Sequence, residues 1–446
     1  MGKTAGRRRK AAQRGRQAGS SLPSCVFSAG PLFKNRNFLL LFSAQVISLT
    51  GSGVTTVGLA LFAHDLVPGD SAAAVIGNAL MLRILAFLMF SQPAGVLADQ
   101  LHRKRLLIVA DLARCALMAL FPWVQSVWQV YVMIFLINVA TAFFTPVYDS
   151  TIPDVAGREH YVKALSLGRV TADMEAVASP ALAAALVALF GLKWLFWFDA
   201  VTYLVSAALV AASVLPRRPA AAFQVRFRTL FQELTHGTRL LWREAALRRA
   251  LLFGIADAIA GAAAIVASVV YVRDELGLGE NEFVVAMVAL GLGSTTTAMV
   301  LGKATGRYES RANGPSELHG RRHRWSDGAL LLGGTVLGLL LLPGICLPPL
   351  PVFAALWFMN GAGQALIEIS SATLLAEHTQ AGQRGRAYAA HFALTHAFWL
   401  VTYPAIGHGV SKLGSPLTFT LAGMACLVIV VAGILSRKPH HDHAHT

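Results

Sequence analysis

The chain has 446 residues, 55% of them hydrophobic and only 14% charged, with a mean hydropathy of +0.57. A soluble domain carries about a quarter charged residues, so this composition excludes an ordinary globular enzyme and points to a protein that crosses a membrane many times. The formal net charge is +15, but the basic residues fall in the gaps between apolar runs, where they report topology rather than a nucleic-acid partner.

The opening 1–36 holds Lys3, Arg7, Arg8, Arg9, Lys10, Arg14 and Arg16 without the apolar run and cleavage site of a secretory signal. It reads as a disordered basic cytoplasmic tail able to touch anionic lipid. A membrane-spanning helix needs about 20 apolar residues. Segments 38–63, 73–97, 106–125, 130–150, 165–190, 194–215, 250–272, 282–302, 327–347, 351–374, 387–408 and 415–435 meet that length. The predicted fold is therefore all-α, with twelve transmembrane helices in two pseudo-symmetric six-helix bundles. The eighth segment is the weakest, being rich in Gly and Thr (Gly291, Gly293, Thr295, Thr296, Thr297).

Alternate loops differ in charge. One set carries Arg103, Lys104 and Arg105, then Arg158 and Lys163, the stretch 217–249, the stretch 303–324, and Arg384 with Arg386. The other carries Asp65 and Asp70, Lys193 alone, Arg273 among Asp274, Glu275, Glu280 and Glu282, and Lys412 alone. The basic set is expected to be cytoplasmic, which places both termini inside. The protein is then a multi-pass component of a bacterial inner membrane. The halves are expected at 37–215 and 250–435. Between them lies a basic linker, 216–249, whose amphipathic stretch (Phe227, Leu230, Phe231, Leu234, Leu240, Leu241, Trp242) lies along the inner surface. The ends of helices six and twelve echo each other, Leu215-Pro216-Arg217-Arg218-Pro219 against Leu435-Ser436-Arg437-Lys438-Pro439, as expected of a repeated half. The remainder, 436–446, is a His-rich cytoplasmic tail.

No enzyme constellation appears. There is no Gly-rich phosphate loop, no G-x-S-x-G and no H-E-x-x-H, and Cys25, Cys115, Cys346 and Cys426 are scattered without a C-x-x-C. No cofactor is expected, and uphill work must draw on an ion gradient.

Ionisable groups at membrane depth are costly and are functional suspects. Asp149, near the basic end of helix four, is read as a partner for Arg103. Asp111 and Arg114 are three apart and can neutralise each other. Asp199 is read as pairing with Lys193 or an interfacial water, and Arg83 as either a structural counter-ion or part of the cavity. In helix five Arg169 and Asp173 are four apart, whereas Glu175 faces elsewhere without a local partner. Asp173, Glu175 and Asp257 are the candidates for proton coupling. Asn360, Gln364 and Glu368 recur every four residues as one polar stripe on helix ten. His391 and His396 on helix eleven are five apart, about 140° around the helix, so they do not chelate as a rigid pair. One of them with Glu368 or a helix-five carboxylate suits a first-row divalent ion. The tail His440-His441-Asp442-His443-Ala444-His445 is a metal-capture sequence.

The run Gly95-Val96-Leu97-Ala98-Asp99-Gln100-Leu101-His102-Arg103-Lys104 resembles the loop signature of the major facilitator superfamily, G-x-L-a-D-r-x-G-R-k, with Gln100 and His102 departing from it. The resemblance implies that Gly95, Asp99 and Arg103, with Asp149, gate the conformational switch and do not contact substrate. The run Asn37 to Phe42, Phe144 with Pro146, Ile152-Pro153-Asp154, and Trp242-Arg243-Glu244 resemble the twelve-helix drug-exporter branch that contains macrolide-efflux proteins. Arg169 to Glu175 with Ser179-Pro180, and Phe392 to Pro404, resemble bacterial nickel-resistance permeases of that branch, which often end in a His-rich tail. Glu368 departs from that group's usual helix ten. The resemblance implies a monomeric, proton-coupled exporter of nickel or cobalt, and the residues read above place Glu368, His391, His396, Gln364 and Asn360 at its transport site. The alternative is an exporter of an amphipathic organic cation or macrolide, with Phe392, Phe398, Trp399 and Tyr403 near its cavity. Its partners would be membrane lipid and the transported solute.

Overall fold

A computed structural model describes residues 30–67, 69–100, 102–157, 161–215, 238–311, 315–379 and 384–436. At 30–31, 92–100, 153, 302–311, 315–324, 376, 384–386, 389 and several positions of 161–184 it describes the backbone alone. Gly95, Asp99 and Asp173 therefore lie outside the described side chains, and the His440 to His445 tail and residues 1–29 lie outside the described residues.

The long helices are α1 (Arg36–Leu66), α2 (Ser71–Gln100), α3 (Arg103–Leu120), α4 (Val127–Ala156), α5 (Tyr161–Phe190) and α6 (Lys193–Ala212), then α7 (Ala245–Glu275), α8 (Glu280–Arg311), α9 (Pro315–Leu341), α10 (Leu350–His378), α11 (Arg384–Leu413) and α12 (Ser415–Leu435). No strand occurs among the described residues. Ten of these helices contain a stretch long and apolar enough to cross a membrane; α5 and α11 are the other two. Trp123, Trp128 and Trp194 are exposed beside the turns at one end of α3, α4 and α6, where amphipathic rings suit a membrane–water interface.

The local sequence explains where α1 begins. Asn35 caps it by accepting from the amides of Asn37 and Phe38 at 3.1 and 3.2 Å, and its own amide donates to the Val155 carbonyl at 2.8 Å. Two basic stretches expected as loop are instead helical. The backbone of α8 runs on to Arg311 and α9 begins at Pro315, so the stretch expected as a loop at 303–326 is mostly helix. Charged side chains shorten the apolar span without breaking the backbone ladder, and only Pro or Gly chemistry would. Likewise α7 begins at Ala245, ahead of the expected 250.

The packing pattern repeats six helices on. Contacts α1–α6, α2–α4, α3–α6, α1–α5 and α3–α4 recur as α7–α12, α8–α10, α9–α12, α7–α11 and α9–α10. The main cross-contacts, α2–α11 and α5–α8, exchange under the same operation. Each half also carries an aromatic cluster at corresponding ends. Phe62, Phe121 and Phe196 pack with centroids 4.4 to 5.4 Å apart, and Tyr271, Phe353, Trp357 and Phe419 pack at 4.0 to 5.3 Å.

Helix α7 is not a regular helix. It passes through π turns at Ala263–Ala267 and Tyr271–Glu275, the kind of irregularity that marks functional positions. A Cβ at Gly261 would overlap the Trp399 ring of α11, so glycine is required for that approach.

Candidate functional site

At the end of the molecule that carries the acidic loops, the halves are tied together. Asp274 of α7 receives the His64 ring of α1 at 3.0 Å, and Arg273 donates to Asp65 at 2.6 Å. Arg273 also lies 4.0 Å from Glu280 of α8. Partial burial and the Asp274 carboxylate hold Asp70, in the α1–α2 turn, above the ordinary aspartate range. Alongside, Gly77 of α2 lies against the Tyr403 carbonyl and Gly407 of α11, and Gly407 lies against the Ala73 carbonyl; no Cβ fits at either glycine. The sequence shows the charges of this cluster but not their pairing, because His64, at the end of one helix, meets a residue 210 positions away.

The basic end is secured within each half. Arg103 of α3 donates to Asp154 and to the Ser150 carbonyl, both at 3.0 Å. Its expected partner Asp149 is instead exposed, because it lies five residues from Asp154 on α4 and projects from another face. Arg249 of α7 grips both oxygens of Asp327 on α9 at 2.8 and 2.6 Å, a pairing that sequence reasoning missed since Arg249 reads as a linker charge and Asp327 as the first residue of the ninth span.

Between these ends lies a cavity of about 60 Å³ lined from α1, α2, α3, α4 and α6 by residues that include Thr56, Arg83, Asn138, Thr141 and Asp199. Asp111 and Arg114 do pair behind it, and Ser206 donates to Asp111 at 2.7 Å. The Arg114 guanidinium is sandwiched at 4.3 Å over Phe144 and 4.4 Å over Tyr203, a buried structural network. Asp199 does not pair with Lys193. It is fully buried and held by Thr55 at 2.6 Å and Thr202 at 3.1 Å, because the side chain projects into the α1–α6 seam beside Gly51. Glu175 has a local partner after all, Ser179 one turn on, which donates at 3.4 Å. It fills a notch over Gly53 of α1, where a Cβ would overlap its carboxylate.

Arg83 differs from all of these. It is exposed, its guanidinium donates to Thr56 at 3.2 Å, and among the described residues it makes no ion pair. Glu175, Asp199, His396 and Tyr403 lie within its electrostatic reach. One turn along α2, Phe87 meets Phe392 of α11 with centroids 6.3 Å apart, and the Phe392 and His396 rings lie 3.7 Å apart, tilted by 32°. An aromatic seam thus runs from the cavity along α2 and α11.

The candidates of α10 and α11 are only partly gathered. Gln364 donates to Asn360 at 2.7 Å, so that stripe satisfies part of itself. Glu368 lies within reach of Asp257 on α7. The His396 Nδ1 is 2.9 Å from the Phe392 carbonyl, whereas the buried His391 Nε2 has no hydrogen-bond partner. Among the described residues no three His, Cys, Asp or Glu side chains stand close enough to hold a metal ion; His391 and His396 diverge around the helix, as their spacing requires.

Known proteins place this architecture. The chain is 22% identical over 418 residues to the uncharacterised MFS-type transporter YfiS of Bacillus subtilis, covering 92% of this chain and 95% of that one. It is 25% identical over 185 residues to macrolide efflux protein A of Streptococcus pyogenes, a match to 45% of that protein. A crystal structure of a POT family transporter in complex with 5-aminolevulinic acid has a TM-score of 0.66 at 10% identity, covering 89% of this chain and 95% of that one. A bacterial homologue of the lysosomal transporter Spinster, inward-facing and unoccupied, has a TM-score of 0.62 at 13% identity over 89% of this chain and 94% of that one. The sequence profile of the Major Facilitator Superfamily matches residues 41–345 and 316–446, and the chain, whose long helices pack in two repeated halves, belongs to that superfamily of multi-pass transporters.

Proposed function

We propose that the chain exports amphipathic organic compounds across a bacterial inner membrane, driven by the proton-motive force. The observation that carries this reading is the joining of a polar cavity, with its guanidinium and hydroxyls, to the aromatic seam of Phe87, Phe392 and His396. One part suits a polar head and the other an apolar body. The macrolide efflux relative supports the same direction. The acidic end faces outward by the positive-inside rule, and Glu175, Asp199 and Asp257 are the groups through which protons would act on the halves.

Accumulation of a panel of fluorescent amphipathic compounds, a macrolide and radioactive nickel should be measured in a bacterium lacking its main exporters, with and without this chain. Expression should lower retention of at least one organic compound, and a protonophore should restore it. Unchanged retention of every organic compound, with the protein present in the membrane, refutes the reading.

A second reading, export of divalent nickel or cobalt, draws on the unpartnered Nε2 of His391. It predicts lower nickel retention and loss of that effect when residues 440–446 are deleted. The organic reading predicts that the same deletion changes nothing. The guanidinium within reach of His396 repels a dication and weighs against the metal.

A further inference from the structure

We infer that Arg83 is the anchor for an anionic oxygen group, so that the substrates are amphipathic organic anions carrying a carboxylate, sulfonate or phosphate. This rests on the exporter reading and names its substrate class. A guanidinium at membrane depth is costly and ordinarily meets a carboxylate, a carbonyl or an aromatic face. Arg114 shows what the fold does with a purely structural arginine, which it buries against Asp111 between two rings. Arg83 is left open to the cavity with one threonine hydroxyl.

The nearby carboxylates act on it at a distance, but neither forms an ion pair with it, because each is hydrogen-bonded elsewhere. Asp199 is bonded to Thr55 and Thr202, and Glu175 sits in its glycine notch against Ser179. A solute entering the cavity therefore meets the planar donor fork, whose geometry matches a two-oxygen anion. A cavity of about 60 Å³ accepts such a head group and not a whole drug-sized molecule. The body must lie elsewhere, and Phe87, four residues along the same face of α2, opens the aromatic seam toward Phe392. Export of an anion carries negative charge out of a negative interior. Counter-movement of protons inward adds to that current, so the cycle is electrogenic for any proton count.

The test uses the full chain in proteoliposomes with three probes on one scaffold: dansylglycine (anion), its carboxamide (neutral) and dansylcadaverine (cation). Dansylglycine should bind and move about tenfold better than the other two, the preference expected of one charge-assisted donor pair. A potassium–valinomycin potential, negative on the side from which the probe leaves, should accelerate it. Arg83→Gln should abolish the preference and Arg83→Lys should keep part of it, with melting in detergent showing both variants folded. Equal handling of amide or cation, an unaltered Arg83→Gln profile, or insensitivity to potential overturns the inference while leaving an organic exporter. Failure of all three probes to move, with the wild-type chain folded and reconstituted, overturns the inference, and the exporter reading falls with it when the compounds of the wider panel are also unmoved.

Discussion

At the scale of single residues, the ionisable groups divide by what their local environment offers. Asp111, Arg114 and Ser206 form a closed network in which every charge has a partner. Breaking one side of a buried ion pair leaves an uncompensated charge, typically about 3–5 kcal/mol. Asp111→Leu should therefore lower the melting temperature in detergent sharply, and the double replacement Asp111→Leu with Arg114→Met should recover much of the loss. A double variant no more stable than the single one would mean that the pair is not the unit of stability. Glycine fixes the other carboxylates. Gly53→Ala places a Cβ where the Glu175 carboxylate rests, so it should abolish transport while the protein still reaches the membrane, measured by flux against surface abundance. The i,i+3 pairing of Asp111 with Arg114 was legible in the sequence because helix geometry alone determines it. The hydroxyl partners of Asp199 were not, since Thr55 lies 144 positions away.

At the scale of helices, the seam between the halves rests on close backbone approach at one end and ion pairs beside it. Gly77 and Gly407 admit no side chain, and overpacking such a contact costs about 1–3 kcal/mol. Gly77→Val should force α2 from α11 and expose the cavity from the acidic side. The ion pairs Arg273–Asp65 and His64–Asp274 should act in the same sense. In a cysteine-free background with Thr56→Cys, an impermeant maleimide added outside should label Arg273→Gln several-fold faster than the parent, and equal rates would mean that the pair does not hold this end closed. Asp70 supplies a pH dependence with a definite sign. Its raised pKa in the closed arrangement means that closure carries more bound proton, so acidification favours closure and the contribution fades as pH rises through the carboxyl's range. Labelling of Thr56→Cys should slow as the medium is acidified, and Asp70→Asn should flatten that dependence.

At the scale of the whole molecule, orientation and the repeat organise everything else. Among the described residues the acidic turns meet at one end, where Arg273 pairs with Asp65 and His64 with Asp274, and the contacts of the first six helices recur in the second six. A cysteine placed at Asp70 should react with impermeant maleimide in intact cells, and one at Glu244 only after permeabilisation. The reverse pattern would invert the topology and, with it, the direction of export.

Composition and periodicity determined the helical membrane class, the positions of the spans and the charge asymmetry of the loops. Each of these follows from local transfer free energy and backbone hydrogen bonding, which a single chain segment expresses by itself. Only the tertiary structure decided the partners of the charges: Asp154 rather than Asp149 for Arg103, Thr55 and Thr202 rather than Lys193 for Asp199, and no ion pair for Arg83 among the described residues. Those choices depend on which helix faces meet across the bundle. Helix packing sets that through close approaches such as Gly77 against Tyr403, between segments too far apart in sequence for spacing to reveal.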